Sequence, residues 1–345
     1  MTVRESGRVT IHTVAKVAGV SSATVSRVLN QSDLVASATR ERVLQALEAC
    51  GFRQPSRLAR ALRTNRTGIL GLLVENVANP YFATVARSVD DAAQQAGLAV
   101  VLANDDGSAP GGVERLELFE TLNVDGVILA PWAGDDRRRQ VARRLASRGA
   151  AIVVVGDYLD EKEFDLVGVD LRRAAVEVVQ CLIERGHRRI GYVGPAATTD
   201  RFAGYQEAVR DAGLPTFALF LPGAPTTANL ASLMEQELPG FISGQRLTAV
   251  VAHSDFYSFE ILRVATARGI KIPGELSVIG FDNTRVAELT APPLASVEIP
   301  KVEMGQMAVE LIRQRLDGKV TGGPVRHILP TRVILRESVA GAPPT

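Results

Sequence analysis

Residues 10–30, TIHTVAKVAGVSSATVSRVLN, decide the reading of the amino-terminal region. Ile11, Val14, Ala15 and Ala18 recur at i, i+3, i+4 and i+7, the stripe of a short amphipathic helix. Gly19 follows, where a tight turn must leave that helix without a Cβ clash. Ser21 is placed to open a second helix, its hydroxyl capping free backbone N–H groups. Val25, Val28 and Leu29 share one face of that helix and can pack on the first. Ser22, Ala23, Ser26, Arg27 and Asn30 fall on the other face: small or hydrogen-bonding side chains plus one arginine, suited to base edges and phosphates. The spacing predicts a helix-turn-helix, although periodicity alone also fits a plain helical hairpin.

The order of residues says more than their period. The string T-I-x-x-V-A-x-x-A-G-V-S-x-A-T-V-S-R-V-L-N runs from Thr10 to Asn30. Thr39, Arg40, Val43 and Leu44 follow on a third helical stretch, then Gly51-Phe52 and Pro55-Ser56. This segment resembles the headpiece of the lac repressor/gal repressor family of bacterial transcription regulators. The resemblance implies a DNA-binding headpiece on a homodimeric repressor reading a pseudo-palindromic operator. Arg27 is then expected on a base, with Ser22 and Ala23 reading by fit. Thr10, Ser21, Thr24, Ser26 and Asn30 are expected to set register on phosphates.

Residues 54–67 form a basic linker. Pro55 suits a helix start, with Arg57, Arg60 and Arg63 on one side and Leu58 and Leu62 on the other. About two helical turns are too few to be stable alone in water, so the residues by themselves fit a flexible linker. The family resemblance implies instead a hinge helix in the minor groove, with Leu62 as the wedge, Ala59 beside it and Arg57 and Arg60 on the backbone. Gln54 is one residue more than the family spacing between Phe52-Arg53 and Pro55.

Charge is segregated along the chain. Residues 1–66 hold 11 Lys and Arg against 4 Asp and Glu, a net +7, whereas the rest holds 28 against 34, a net −6. A basic head on an acidic body fits polyanion binding through one end. The 345 residues, 46% hydrophobic and 22% charged, suffice for more than one globular domain. Two cysteines, Cys50 and Cys181, give no disulfide framework or zinc site. No apolar run reaches membrane-span length and MTVRESGRVT carries no signal-peptide core, so a cytoplasmic, membrane-free protein is expected.

From Ile69 onward short apolar runs alternate with helical patterns. Candidate strands are Ile69–Val74, Ala99–Leu102, Val127–Leu129 and Ile152–Val155, then Val167–Val169, Ile190–Val193, Ala249–Ala252 and Ser277–Phe281. Helical stretches include Phe82–Ala96, Arg137–Arg148, Arg172–Arg185, Phe202–Ala212, Phe256–Arg268 and Val302–Leu316. Continuous Val/Ile/Leu strands separated by helices predict parallel sheets covered on both faces. The expected architecture is α/β: a small all-α headpiece (1–53), a hinge (54–67) and a two-lobed body of doubly wound parallel sheets (68–338), with a tail (339–345). Lobe one is expected over about 68–160 plus 300–323, and lobe two over 161–299 plus 324–338. The body is similar to periplasmic sugar-binding proteins, as in the same repressor family, through Asn79-Pro80-Tyr81-Phe82, Asp125-Gly126-Val127-Ile128, Gly186-His187-Arg188-Arg189-Ile190 and Ser277-Val278-Ile279-Gly280-Phe281-Asp282.

Ligands of open α/β sheets lie beyond the carboxyl ends of the strands. Asp157 follows one strand, Asp282 another, and Arg201 begins the helix after a third. A guanidinium fork between two carboxylates suits polyols, whose hydroxyls both donate and accept. The resemblance implies that Arg201 and Asp282 hold a small-molecule effector, a sugar or related metabolite. Tyr81 and Phe82 offer an apolar wall, and Ser254 stands in Ser254-Asp255 where Asn-Asp is usual. Gly223-Ala224-Pro225-Thr226-Thr227 lacks the aromatic residue that relatives often carry there.

His12, His187, His253 and His327 have no partner at metal-ligand spacing and read as structural or exposed, so no metal or other cofactor is expected. Without a phosphate loop, a dinucleotide fingerprint or a nucleophile elbow, no enzyme is predicted. A free-standing solute-binding protein would share the body but lack the basic headpiece.

Overall fold

The computed structural model describes residues 9–29, 35–50, 66–105, 111–130, 136–195, 199–221 and 227–343. The chain divides into two units, Met1–Thr67 and Gly68–Thr345.

In the first unit, Thr10 caps helix α1 (Ile11–Ala18) through a reciprocal box: its Oγ1 accepts the Thr13 N–H at 3.4 Å, and Thr13 Oγ1 accepts the Thr10 N–H at 3.3 Å. The helix stops at Gly19, whose φ of 65° would strain a side-chain-bearing residue. Ser21 then opens α2 (Ser22–Leu29), its Oγ accepting the Thr24 N–H at 3.1 Å. Val14, Val25 and Val43, the last on α3 (Ser37–Ala49), are fully buried and form the core with Ala15, Ala18, Val28 and Ala46. The expected inward face of α2 is thus present at Val25 and Val28; the Leu29 side chain lies outside the described residues.

Among the described residues the second unit holds two six-stranded sheets. The first contains β1 (Ile69–Val74), β2 (Ala99–Asn104), β3 (Gly126–Ala130), β4 (Ala151–Gly156), β5 (Asp165–Val169) and β11 (Arg326–Leu329), in the order β11-β5-β4-β3-β1-β2 and parallel throughout. The second contains β6 (Ile190–Gly194), β7 (Phe217–Phe220), β8 (Ala249–Ala252), β9 (Ser277–Asp282), β10 (Ala295–Glu298) and β12 (Arg332–Ile334), in the order β12-β10-β9-β8-β6-β7. Among the described strands there, β12 alone runs antiparallel to its neighbour. Helices α4 (Pro80–Gln95), α5 (Gly111–Thr121), α6 (Asp136–Ser147) and α11 (Lys301–Leu316) pack on the first sheet or its helices. Helices α7 (Leu171–Glu184), α8 (Asp200–Asp211), α9 (Thr227–Gly244) and α10 (Asp255–Arg268) accompany the second. Strand order reverses beside β1 and again beside β6, which opens a crevice beyond the carboxyl ends of each sheet.

The expected lobe boundaries need correction. Strand Asp165–Val169 belongs to the first sheet, with Val167 opposite Val155, and β11 joins it with His327 opposite Val167. A strand not preceded by a helix reads as the start of a new series. Here the chain instead returns through a helix-free loop, residues 157–164, pinned where Arg139 pairs with Glu161 at 3.0 Å and Arg326 donates to the Glu161 and Leu159 carbonyls. Helices α5 and α9 and strands β7 and β10 also escaped the periodicity reading. The short strand β7 is only half-buried, and α9 carries Pro239 in its interior. The tail is not free through its described part: Ala342 N–H donates to the Arg185 carbonyl at 2.9 Å, and His187 Nε2–H to the Ala340 carbonyl at 3.1 Å.

Helix α8, which carries Arg201, crosses α7 at Gly204, where an added Cβ would lie 2.0 Å from the Arg172 carbonyl oxygen. Gly204→Ala is therefore expected to lower body stability by about 3 kcal/mol, since backbone must move to admit the methyl. A shift in the urea midpoint tests this, and an unshifted midpoint would mean the crossing is not close-packed.

Candidate functional site

The exposed side of α2 presents Ala23 and Arg27, with Ser22, Thr24 and Ser26 half-buried beside them. Ser22 Oγ lies 2.9 Å from His12 Nδ1, and Ser21 Oγ lies 2.8 Å from Thr24 Oγ1 while capping the helix. These hydroxyls are oriented by the fold before any partner arrives. Thr10 is exposed at the amino end of α1. Asn30, Arg57, Ala59, Arg60 and Leu62, and the 223–226 loop, lie outside the described residues.

The body contains a cavity of about 1260 Å³ lined from both sheets, larger than the roughly 300–1,000 Å³ of ordinary small-molecule pockets. Its walls include Tyr81, Phe82 and Asp157 on the first-sheet side and Arg201, Ser254 and Asp282 on the second-sheet side. All six effector residues expected from the sequence thus meet in one place. The Asn-Pro pair before Tyr81 explains the start of α4: Asn79 accepts the Tyr81 N–H at 3.0 Å and Pro80 takes the first helical position. Tyr81 stands edge-on to Phe82, with ring centroids 5.0 Å apart. Phe82 itself is mainly a core residue, packed with Leu72 and Val85.

Arg201 sits in the first turn of α8, which Thr199 caps by accepting the Phe202 N–H at 3.2 Å. Its guanidinium lies 5.5 Å from the centre of the Phe281 ring and 4.0 Å from Asp157 Oδ2, and its Nε is buried with no partner among the described residues. Arg201 Nη1 donates to His253 Nε2 at 2.9 Å. Because an arginine only donates, His253 Nε2 must accept, so its proton is on Nδ1 and points to Tyr192 Oη at 2.9 Å. Tyr192 Oη then has Thr199 Oγ1 within 3.3 Å. The chain Arg201–His253–Tyr192–Thr199 requires a neutral imidazole. Burial, then the Arg201 charge, hold the His253 pKa well below its ordinary value. Burial likewise pushes the Tyr192 phenol up to about 12.

Asp282 ends β9, only 3% exposed, and no described residue hydrogen-bonds its carboxylate. Burial first, then the neighbouring Asp255, raise its pKa well above the ordinary range against the opposing pull of Arg201 and Lys301. Its backbone has φ 108° and the following Asn283 φ 46°, both strained for residues with side chains. Two groups hold that turn. Asp255 accepts from the Thr284 N–H at 2.7 Å, the Thr284 hydroxyl at 3.0 Å and the Ser296 hydroxyl at 2.5 Å. Lys301 Nζ, buried at the start of α11, donates to the Asp282 carbonyl and to the Ile299 carbonyl at 3.0 Å. Burial raises the Asp255 pKa to about 6, moderated by those donors. Ser254 lines the cavity, and its carbonyl accepts the Ser258 hydroxyl at 3.1 Å.

Reading His253 as structural or exposed needs correction, since it lines the cavity and orients Arg201. It occupies a strand end, the signal that singled out Asp157 and Asp282, but filtering histidines by metal spacing discarded it. Glu75, one residue beyond β1, also lines the cavity and was missed although it too follows a strand end. Among the described residues no group of three His, Cys, Asp or Glu could hold a metal ion, and no helix is long and apolar enough to cross a membrane.

A helix-turn-helix unit joined to a two-lobed, ligand-binding body defines a class of proteins, and comparison with known proteins places the chain within it. Residues 10–55 match the model of bacterial regulatory proteins of the lacI family, and residues 179–339 match the periplasmic binding protein-like domain. The HTH-type transcriptional regulator CelR of Thermobifida fusca is 35% identical over 345 residues, covering 96% of this chain and 98% of that protein. A solved CelR–cellobiose complex is 30% identical with a TM-score of 0.67, covering 96% of this chain and 100% of that one. The lac repressor dimer bound to operator and the anti-inducer ONPF shares the fold, with a TM-score of 0.78 at 23% identity over 97% and 100% of the two chains. The chain belongs to the lacI family of bacterial regulatory proteins and is a DNA-binding transcriptional regulator. A free-standing solute-binding protein is not favoured, because relatives covering nearly the whole chain are transcriptional regulators.

An unfolded histidine takes up its proton near 6.5, whereas His253, held well below that, takes it up only at lower pH. The folded state therefore binds fewer protons, and stability falls as pH drops below that value, by about 1.4 kcal/mol per pH unit for one proton. His253→Gln keeps an acceptor for Arg201 and removes this titration. Below about pH 6.5 its stability should accordingly improve relative to the parent by that slope. Urea denaturation at several pH values measures the difference; a pH-independent gap would show that His253 is not held neutral.

Proposed function

We propose that the protein is a homodimeric repressor whose affinity for a pseudo-palindromic operator is set by a small saccharide held in the interlobe cleft. The observation that carries this reading is Arg201 and Asp282 on the second-sheet wall of a cavity whose first-sheet wall carries Tyr81 and Asp157, with Arg201 Nε and the Asp282 carboxylate lacking hydrogen-bond partners among the described residues. A polyol supplies paired donors and acceptors to both at once. A ligand touching both lobes favours whichever lobe arrangement completes its contacts, which is how occupancy biases a distant element. The CelR complex with cellobiose supports a sugar of about disaccharide size. In this reading Arg27 contacts a base, with Ser22 and Ala23 close against the groove floor. Thr10, Ser21, Thr24, Ser26 and Asn30 meet phosphates. Arg57, Ala59, Arg60 and Leu62 belong to a hinge helix that enters the minor groove. No catalytic role is assigned to any residue, and the protein acts in the cytoplasm where its DNA lies.

Two measurements test the reading. In mobility-shift assays with a palindromic duplex from the adjacent promoter, Arg27→Ala should cost about 1–3 kcal/mol of specific binding. Leu62→Ala should weaken operator binding while leaving the melting of the body unchanged. Saccharides that raise the melting temperature of the full chain should lose that effect in Arg201→Ala and Asp282→Asn. Unaltered operator affinity in both headpiece and linker variants would remove the proposed DNA contacts, and a retained melting shift would move the ligand elsewhere.

A further inference from the structure

The charge of the cleft narrows the ligand further, on the basis of the saccharide reading above. Among the described residues six acidic side chains line it, those of Glu75, Asp157, Asp160, Asp170, Asp200 and Asp282, against three cations, Lys162, Arg172 and Arg201. Of these cations, Arg172 is taken by Glu207, outside the lining, at 2.7 Å, and Arg201 has Asp157 at 4.0 Å. Asp160, Asp200 and Asp282 make no side-chain hydrogen bond or ion pair with any described residue, and Lys162 is likewise without an ion-pair partner among them. The carboxylates crowd one another: burial, then Asp157, Asp160 and Asp170, raise the Asp200 pKa. Walls of low dielectric focus such a field into the opening.

The helix starts reinforce it. A free helix amino terminus is the usual seat for a phosphate, because its N–H groups and dipole face outward. At this cleft those seats carry the protein's own carboxylates. Asp170 caps α7, accepting the Arg173 N–H at 2.9 Å, and Asp200 occupies the first turn of α8. Helix α4 begins with Pro80, which has no N–H to offer.

We infer that the cleft selects its saccharide by charge, admitting neutral and ammonium-bearing forms and excluding phosphorylated and carboxylated ones. Arg201, with Asp157 4.0 Å away, and Asp282 meet the ring hydroxyls, while the exposed Asp160 and the part-buried Asp200 face the rest of the ligand.

A matched series on one backbone tests this with the full-length chain by calorimetry: cellobiose, the β-1,4 disaccharide of glucosamine, and cellobiose 6′-phosphate. The amine-bearing sugar should bind as tightly as cellobiose or more so, and the phosphate about tenfold more weakly than cellobiose. Raising salt should narrow that gap, as should Asp160→Asn, a change at an exposed position. Phosphate binding equal to or tighter than cellobiose, abolished in Arg201→Ala, would overturn the charge selection and leave the saccharide site standing. Heat from none of the three sugars would overturn both.

Discussion

A guanidinium drawn out of water sets the terms for the whole cleft. Moving a charged side chain into a protein interior costs several kcal/mol unless geometry and hydrogen bonds compensate. Arg201 is compensated only in part: one nitrogen donates to His253, Asp157 stands at 4.0 Å, and Nε finds no partner among the described residues. Helix α8 must be rigid to hold it there, which is why Gly204 lets α8 press against the α7 backbone. Histidine 253 must be neutral to accept, and its half-buried place between a cation and a phenol keeps it so. Neither feature improves the core for its own sake; both keep an unfinished set of contacts in register.

The acidic group on the same wall follows the same logic with the sign reversed. Asp282 is a buried carboxylate at the end of a fully buried strand, on a backbone that resists its own conformation. Such strain persists only where the surroundings over-determine it. Here the surroundings are Asp255, fixing the next residues from one helix start, and Lys301, fixing the carbonyls from another. Lys301 also binds the Ile299 carbonyl, in the segment where the chain leaves the second sheet for α11, which packs on α4 beside the first. The ligand-facing turn and the crossover between lobes therefore share a single ammonium. A shift of one without the other would leave a buried charge with fewer acceptors than it now has.

Legibility in the sequence tracked how local the cause was. The helix-turn-helix is written in contiguous residues: Thr10, Gly19 and Ser21 punctuate two helices, and Val14 and Val25 face one another because period and length leave them no alternative. Strands buried on both faces announced themselves for the same reason, and strand ends led to Asp157, Arg201 and Asp282. What escaped depends on partners far along the chain. The place of β5 in the first sheet is decided by its register with β4 and β11, and by arginines 139 and 326 holding the loop before it. Asp255 and Lys301 look like ordinary surface charges until Thr284, Ser296 and the Asp282 carbonyl are brought to them. His253 failed for a different reason, since metal spacing is the wrong question to ask of a histidine whose partner is an arginine.

The segregation of charge then acquires a mechanical sense. The net +7 of residues 1–66 supplies affinity for any stretch of nucleic acid, because phosphate neutralisation ignores sequence. In the proposed reading, discrimination falls to the few groups on the exposed side of α2, with the linker residues, and on α2 Ser22 is already bonded to His12 and Ser21 to Thr24. Pre-bonded hydroxyls surrender little rotational freedom on contact, so a short helix can select with modest side chains. Control by a ligand cannot work by weakening the general attraction, for the head keeps its charge whatever fills the cleft. It has to act on geometry. A body that keeps Arg201 and Asp282 incompletely satisfied on one lobe and presents Tyr81 and Asp157 on the other is suited to this, because the free energy released when a ligand meets both walls is available only in the lobe arrangement that brings them together.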